Sequence, residues 1–196
     1  MDLVLATSNA HKIQEIKALL PPHFRVLGLS DIGFTDEIEE TSGSIKGNSL
    51  LKAQTVINFL SGKKIGAAVI ADDSGLEVEA LGGRPGVYSA RYAGEKADAA
   101  ANNKKLLTEL AKITKRRARF VTIITLIYSG ETRFFEGEVK GTVAYEPRGI
   151  SGFGYDPLFI PAGYRSTFAE LPPEEKNRIS HRGQAVKKLV SFLESL

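Results

Sequence analysis

The sequence predicts an α/β fold carrying a mixed β-sheet, and three observations lead there. Short apolar runs alternate with helix-spaced segments through the first third of the chain, as βα units require. The run Ala67-Ala68-Val69-Ile70-Ala71 is continuously apolar, the pattern of a strand covered on both faces. Two long β-branched and aromatic runs, Arg119 to Tyr128 and Thr132 to Val143, flank Ser129-Gly130 as an antiparallel hairpin.

The elements follow in order. Leu3 to Ala6 is the first strand, and Thr7-Ser8-Asn9 supplies a helix start. Ile13, Ile16, Leu19 and Leu20 line one face of the first helix, which Pro21-Pro22 ends. Phe24 to Leu29 is a second strand. Asp31 to Gly47 is acidic and rich in Gly and Ser, a loop. Asn48 to Leu60 returns to helical spacing, with Leu51, Thr55 and Phe59 in register. Asp72 and Asp73 close the strand that starts at Ala67, and Gly82 to Gly86 is a turn cluster. Ala97 to Lys112 is helical. Glu146 to Tyr155, with three glycines and a proline, is irregular. Pro172-Pro173 restarts the chain, and His181 to Leu196 is a final amphipathic helix. The chain shows no repeat, low-complexity tract or interdomain linker, so a single domain over 1–196 is expected.

Composition narrows the function classes. The 196 residues are 42% hydrophobic and 25% charged, ordinary globular usage, which excludes wholesale disorder. The absence of cysteine excludes a disulfide scaffold, a thiolate zinc site and a Cys nucleophile, and fits a reducing compartment. Twenty-six basic against 23 acidic residues leave a net charge of +3. The basic residues are scattered. Their densest run, Lys115-Arg116-Arg117 with Arg119, is too short to coat a nucleic acid, though local basic pockets suit small anions. No apolar stretch reaches the ~18 residues of a membrane span. The start MDLVLATSN has no basic region before an apolar core. A soluble, cytoplasmic protein is expected, with neither membrane nor nucleic acid as partner.

Four clusters carry chemistry. Thr7-Ser8-Asn9-Ala10-His11-Lys12 places hydroxyls, a helix start and Lys12 together, and free amides at a helix start attract anions. The same residues also read as a plain N-cap with a solvated lysine; no Walker glycine pattern is present. Asp72-Asp73-Ser74 follows a buried strand, where open α/β sheets hold ligands. Two close carboxylates need a cation or a shared proton, and magnesium is the natural guest. The alternative is an Asx-turn ending the strand. Glu37 to Glu40, followed by Asn48 and Lys52 one turn apart, could complete such a metal site and address phosphate, or be an acidic loop and a surface lysine. Gly152-Phe153-Gly154-Tyr155-Asp156, with Lys176, His181 and Arg182 downstream, could seat a flat ring against Phe153, or be core aromatics and a helix start.

Taken in order, TSNAHK, ADDSGLEVEALGGRPGVYSARYAG, GFGYDPLF and EEKNRISHRGQA resemble the inosine triphosphate pyrophosphatase, or Ham1-like, family from residue 2 to about residue 193. The resemblance implies a long, mixed, curved sheet with two α/β lobes around a central cleft, and a homodimer. It implies that Thr7, Ser8, Asn9, Ala10, His11 and Lys12 bind triphosphate. It makes Asp73 the proton acceptor and a magnesium ligand, with Asp72 beside it and Ser74 contacting substrate. Glu39, or alternatively Glu40, is the other acidic metal position. Asn48 and Lys52 face the phosphates, and Phe153, Gly154, Tyr155, Asp156, Lys176, His181 and Arg182 surround the purine. One departure stands out: the family commonly carries Glu before the Asn at 48 and Phe two residues earlier, where this chain has Gly47 and Ile45.

The expected activity is magnesium-dependent cleavage of non-canonical purine nucleoside triphosphates (ITP, dITP, XTP) to the monophosphate and pyrophosphate. Donors from His181, Arg182 or backbone near Tyr155 would read the carbonyl at the purine six position. Two other readings stand beside it: a related house-cleaning pyrophosphatase for other modified or pyrimidine nucleotides, and a non-catalytic nucleotide- or RNA-binding protein.

Overall fold

The computed structural model describes residues 2–62, 67–94 and 98–196. In chain order the main elements are β1 (Asp2–Leu5), α1 (Ala10–Leu19), β2 (Arg25–Leu27), α2 (Ile45–Gly62), β3 (Ala68–Val78), α3 (Ala99–Glu109), β4 (Arg117–Tyr128), β5 (Glu131–Val143), β6 (Phe159–Pro161), α4 (Pro173–Ile179) and α5 (His181–Leu193). The strands among the described residues form one six-stranded sheet in the order β2-β1-β3-β4-β5-β6. β1 pairs in parallel with β2 and with β3, whereas β5 and β6 pair antiparallel, so the sheet is mixed as the sequence predicts.

The chain divides into two compact units. The first gathers Met1–Asp73, Thr122–Gly137 and Arg182–Leu196. β1 from Leu3 and the first half of β3 are buried on both faces, which is why they read as continuous apolar runs. Side chains alternate along a strand. Leu3, Leu5, Ala68 and Ile70 therefore pack with Ile16 and Leu20 at the first helix and with Ala185, Val186 and Leu189 of α5. Their neighbours Val4, Val69 and Ala71 pack on the other face with Ala53, Val56 and Leu60 of α2.

The second unit gathers Ser74–Val121 and Glu138–His181 around its own core. Leu76 and Val78 of β3 meet Leu106 and Leu110 at the third helix and an aromatic group of Phe120, Phe159 and Phe168. Phe120 and Phe159 meet edge to face, with centroids 4.8 Å apart, a geometry that favours the ring quadrupoles. Arg116 is buried there, and its guanidinium donates to the carbonyls of Leu110, Ile113 and Ala144.

Several expectations need correction. Asp72 and Asp73 do not close their strand: β3 continues through both to Val78. A charged pair ends a buried strand only when nothing compensates it, and here each acid has a cation on its own face. β2 keeps only Arg25–Leu27 of the expected run. α2 starts at Ile45, ahead of the expected Asn48, because Ser44 caps it by accepting from the Gly47 amide at 3.0 Å. β6 and α4 were not expected at all. α3 is shorter than expected, and Ala97 lies outside the described residues. The hairpin turn is as predicted: Ser129 and Gly130 both have positive φ, 50° and 80°, matching the twist of the flanking strands.

Candidate active site

In the first unit, α1 begins where Asn9 caps it, its Oδ1 accepting from the Lys12 amide at 3.1 Å. The Asn9 amide in turn donates to Thr7 Oγ1 at 3.2 Å. The capping reading of this segment is therefore realised, while Ser8, Ala10 and His11 stand exposed. Lys12 is not a solvated lysine. Its ammonium lies 2.5 Å from Asp72 Oδ1, and Asp72 is fully buried.

Asp72 has a second cation. Arg182, in the first turn of α5 and only 2% exposed, donates from Nε to Asp72 Oδ2 at 3.0 Å and pairs through Nη1 with Glu15 at 2.5 Å. Burial pushes the Asp72 carboxyl up, but Arg182 and Lys12 outweigh it and hold the group well below the usual carboxylate range. Burial pulls the Lys12 ammonium down, against the pull of Asp72.

Asp73 belongs to a different set of partners. It follows Val69 and Ala71 onto the α2 face, so consecutive acids stand on opposite faces of the sheet. The two carboxylates therefore take different direct ion-pair partners, although Lys12 and Lys52 each act electrostatically on both. Lys52 of α2 places Nζ 2.9 Å from Asp73 Oδ1 and 2.9 Å from Glu40 Oε1. Glu39 is exposed, so Glu40 is the loop acid that reaches this cluster. Burial works against the Lys52 ammonium, but Asp73 and Glu40 more than offset it and raise its pKa. Two acids share one lysine here. Burial, aided by the like charge of Glu40, pushes the Asp73 carboxyl up despite Lys52 and Lys12.

Asn48, one turn before Lys52, is fully buried. Its Oδ1 accepts from the Ser42 amide at 2.9 Å, and its Nδ2 has no hydrogen-bond partner among the described residues. Ser49 ties the same helix to β3 by donating to the Ala71 carbonyl at 3.0 Å. Sequence reasoning missed Glu15, Ser42 and Ser49. Only Glu15 carried a signal, standing three residues after Lys12 on the same helical face.

In the second unit, Asp156 organises the glycine-rich loop. Its Oδ2 accepts from the Phe153 amide at 2.8 Å and from Lys176 Nζ at 2.6 Å. Lys176 lies 5.1 Å from the centroid of Phe153, within cation–π range. Gly152, at φ 76°, lets the chain turn against this carboxylate: a Cβ there would stand 2.2 Å from Asp156 Oδ2. Gly154 has a positive φ of 62°, and its carbonyl accepts from Asn103 Nδ2 at 3.1 Å. Tyr155 is buried with its hydroxyl donating to the Ser89 carbonyl at 2.9 Å. His181 stacks on Phe120 at 4.6 Å and 8°. Ser74, the first residue of this unit, is half-buried on β3. His181 and Arg182, neighbours in the chain, thus serve different clusters, and Arg182 is engaged by Asp72 and Glu15.

Fold and side chains together define an α/β protein whose sheet carries buried carboxylates against lysine and arginine. The sequence pattern of the Ham1 family matches residues 3–192, and the chain belongs to that family. A dITP/XTP pyrophosphatase of Flavobacterium psychrophilum is 47% identical over 195 residues, covering 100% of both chains. One of Bacillus subtilis is 49% identical, covering 99% of this chain and 98% of its own. The solved Ham1 protein of Staphylococcus aureus is 42% identical, with a TM-score of 0.86 over 100% of this chain and 99% of that one.

Proposed function

We propose that the protein hydrolyses non-canonical purine nucleoside triphosphates, dITP, ITP and XTP, to the monophosphate and pyrophosphate. Full-length likeness to dITP/XTP pyrophosphatases supports the reaction class. The observation that carries the chemistry is the convergence of Asp73 Oδ1 and Glu40 Oε1 on one cation, each 2.9 Å from Lys52 Nζ.

That donor set fits magnesium, which takes oxygen ligands and is commonly held by one or two carboxylates, with water and substrate phosphate completing its shell. Among the described residues no group of three His, Cys, Asp or Glu side chains gathers that could hold a metal. Asp73 and Glu40 would hold the ion. When bound, it would neutralise part of the charge on the triphosphate.

The chain's own residues do the rest. Asp73, on the α2 face of β3 beside Lys52, would take the proton from the water that attacks the α phosphorus. Lys12, Lys52 and the first amides of α1 supply positive charge to the phosphate oxygens. Asn48 Nδ2 offers a buried donor to the same oxygens. Phe153 stacks on the base, and the Asp156–Lys176 pair fixes the loop that presents it. Asp72, paired with Lys12 and Arg182, would position those cations.

A triphosphate panel with pyrophosphate detection, run with magnesium and with excess chelator, tests the proposal. dITP and XTP turn over in magnesium, ATP and GTP poorly, and chelator abolishes the signal. Equal rates on ATP, or undiminished turnover in chelator, would reject it. We further propose a cytoplasmic homodimer; sedimentation at micromolar concentration reads the subunit number.

A further inference from the structure

We infer that Gly47 is a positioning residue of this site: its lack of a side chain lets Ser42 seat against α2 and so sets the loop that carries Glu40 to Asp73. The inference rests on the reading of Glu40 and Asp73 as the metal-holding pair, and adds a residue with no functional atoms of its own.

The seat is defined by contact. A Cβ at Gly47 would stand 1.8 Å from Ser42 Oγ, 2.7 Å from Ser42 Cβ and 2.9 Å from Ser44 Oγ. A hydroxyl can rotate away. The Ser42 Cβ cannot, unless the backbone beneath it moves. That backbone is held, because the Ser42 amide donates to Asn48 Oδ1 at 2.9 Å and Asn48 is fully buried. Ser42 Oγ also accepts from the Ser44 amide at 3.3 Å, and Ser44 Oγ from the Gly47 amide at 3.0 Å. Any side chain at 47 enters this ring of bonds as a wedge.

The consequence reaches the acids. Asn48 and Lys52 lie one turn apart on the same face of α2. They grip the loop at two points, the Ser42 amide and the Glu40 carboxylate. Displacing Ser42 shifts a chain only two residues from Glu40, whose oxygen must stay level with Asp73. Gly47 is not among the positive-φ glycines, so what it supplies is space and not an unusual backbone. This separates the two readings in sign. A glycine inside a helix is destabilising relative to alanine. A merely structural account therefore has Gly47→Ala stabilise the helix and leave the site alone.

The test uses the full chain as wild type, Gly47→Ala, and Gly47→Ala combined with Ser42→Gly, which removes the two closest colliding atoms and leaves Ser44 Oγ. Three quantities are read: Mn2+ affinity without nucleotide by paramagnetic resonance, exchange of the Ser42 amide, and the magnesium dependence of dITP turnover. Gly47→Ala is expected to weaken Mn2+ binding and raise half-saturating magnesium by about 10- to 100-fold, the range for residues that orient metal ligands. It also speeds Ser42 exchange without lowering the melting temperature. The double variant recovers most of the Mn2+ affinity. Wild-type Mn2+ affinity and Ser42 exchange in Gly47→Ala, or no recovery in the double variant, would overturn the inference. A wild type inert toward dITP would instead strike the proposed function, and the Mn2+ and exchange measurements would still decide the role of Gly47.

Discussion

Asp72 and Asp73 are adjacent in the chain and stand on opposite faces of β3, the first held by Lys12 and Arg182, the second by Lys52. Two identical side chains, one peptide apart, are thereby given different work. The first is neutralised by two cations within its own cluster. The second shares one lysine with Glu40, and this partial compensation leaves it suited to accept a proton or join a metal.

Asp73→Asn should separate chemistry from folding. The amide keeps the shape and loses the proton acceptor, so kcat on dITP falls by about 10²- to 10⁴-fold, the usual contribution of a general base. Calorimetric titration with dITP should still detect binding. Turnover within a few-fold of wild type would remove Asp73 from the reaction.

Asp72→Asn should show the reverse emphasis. Removing one member of a buried ion pair costs ~3–5 kcal/mol, because the cations stay buried without their counter-charge. Urea unfolding reads this directly. The pH dependence follows the same group. Asp72 is held below the ordinary 3.8 in the folded state, so its stabilisation is fully present above that pH and is lost as the pH falls further. Between pH 4 and 2, as a rough window, the wild type should lose stability faster than Asp72→Asn.

Phe153→Leu tests base stacking. It keeps an apolar side chain but removes the aromatic face, worth ~1–3 kcal/mol per base in comparable sites. KM for dITP should rise about tenfold with kcat little changed. Gly152→Ala should do more, since its Cβ would press within 2.2 Å of the Asp156 oxygen that orders the loop.

Ser129→Asn should stabilise the protein by roughly 0.5 kcal/mol, judged from thermal midpoints at fixed pH. Asparagine tolerates the positive φ of 50° at this turn better than serine does, and Asn-Gly is the favoured pair in such hairpins.

What the sequence made legible was whatever rests on local pattern. The β1 and β3 apolar runs announced two-sided strands because both faces of each are covered by helices. Ser129-Gly130 announced its turn because few residue pairs adopt that geometry. Asp72 and Asp73 were misplaced at a strand's end because the groups that let charge continue inside a sheet are distant. Lys12 is 60 residues away and Arg182 is 110. The choice between Glu39 and Glu40 was equally hidden. The path of the loop brings Glu40, not the exposed Glu39, to Lys52. β6, only Phe159–Pro161, is too short to leave a periodic signature.

The reach of Arg182 has a consequence for how the protein is made. A ribosome must add 110 residues after Asp72 before that guanidinium exists, and it closes onto Glu15 from 167 residues away. A chain that ends before residue 182 lacks one of the two cations paired with Asp72. Such a truncated chain should be less stable than the full one, which limited proteolysis of a variant ending at residue 181 would read.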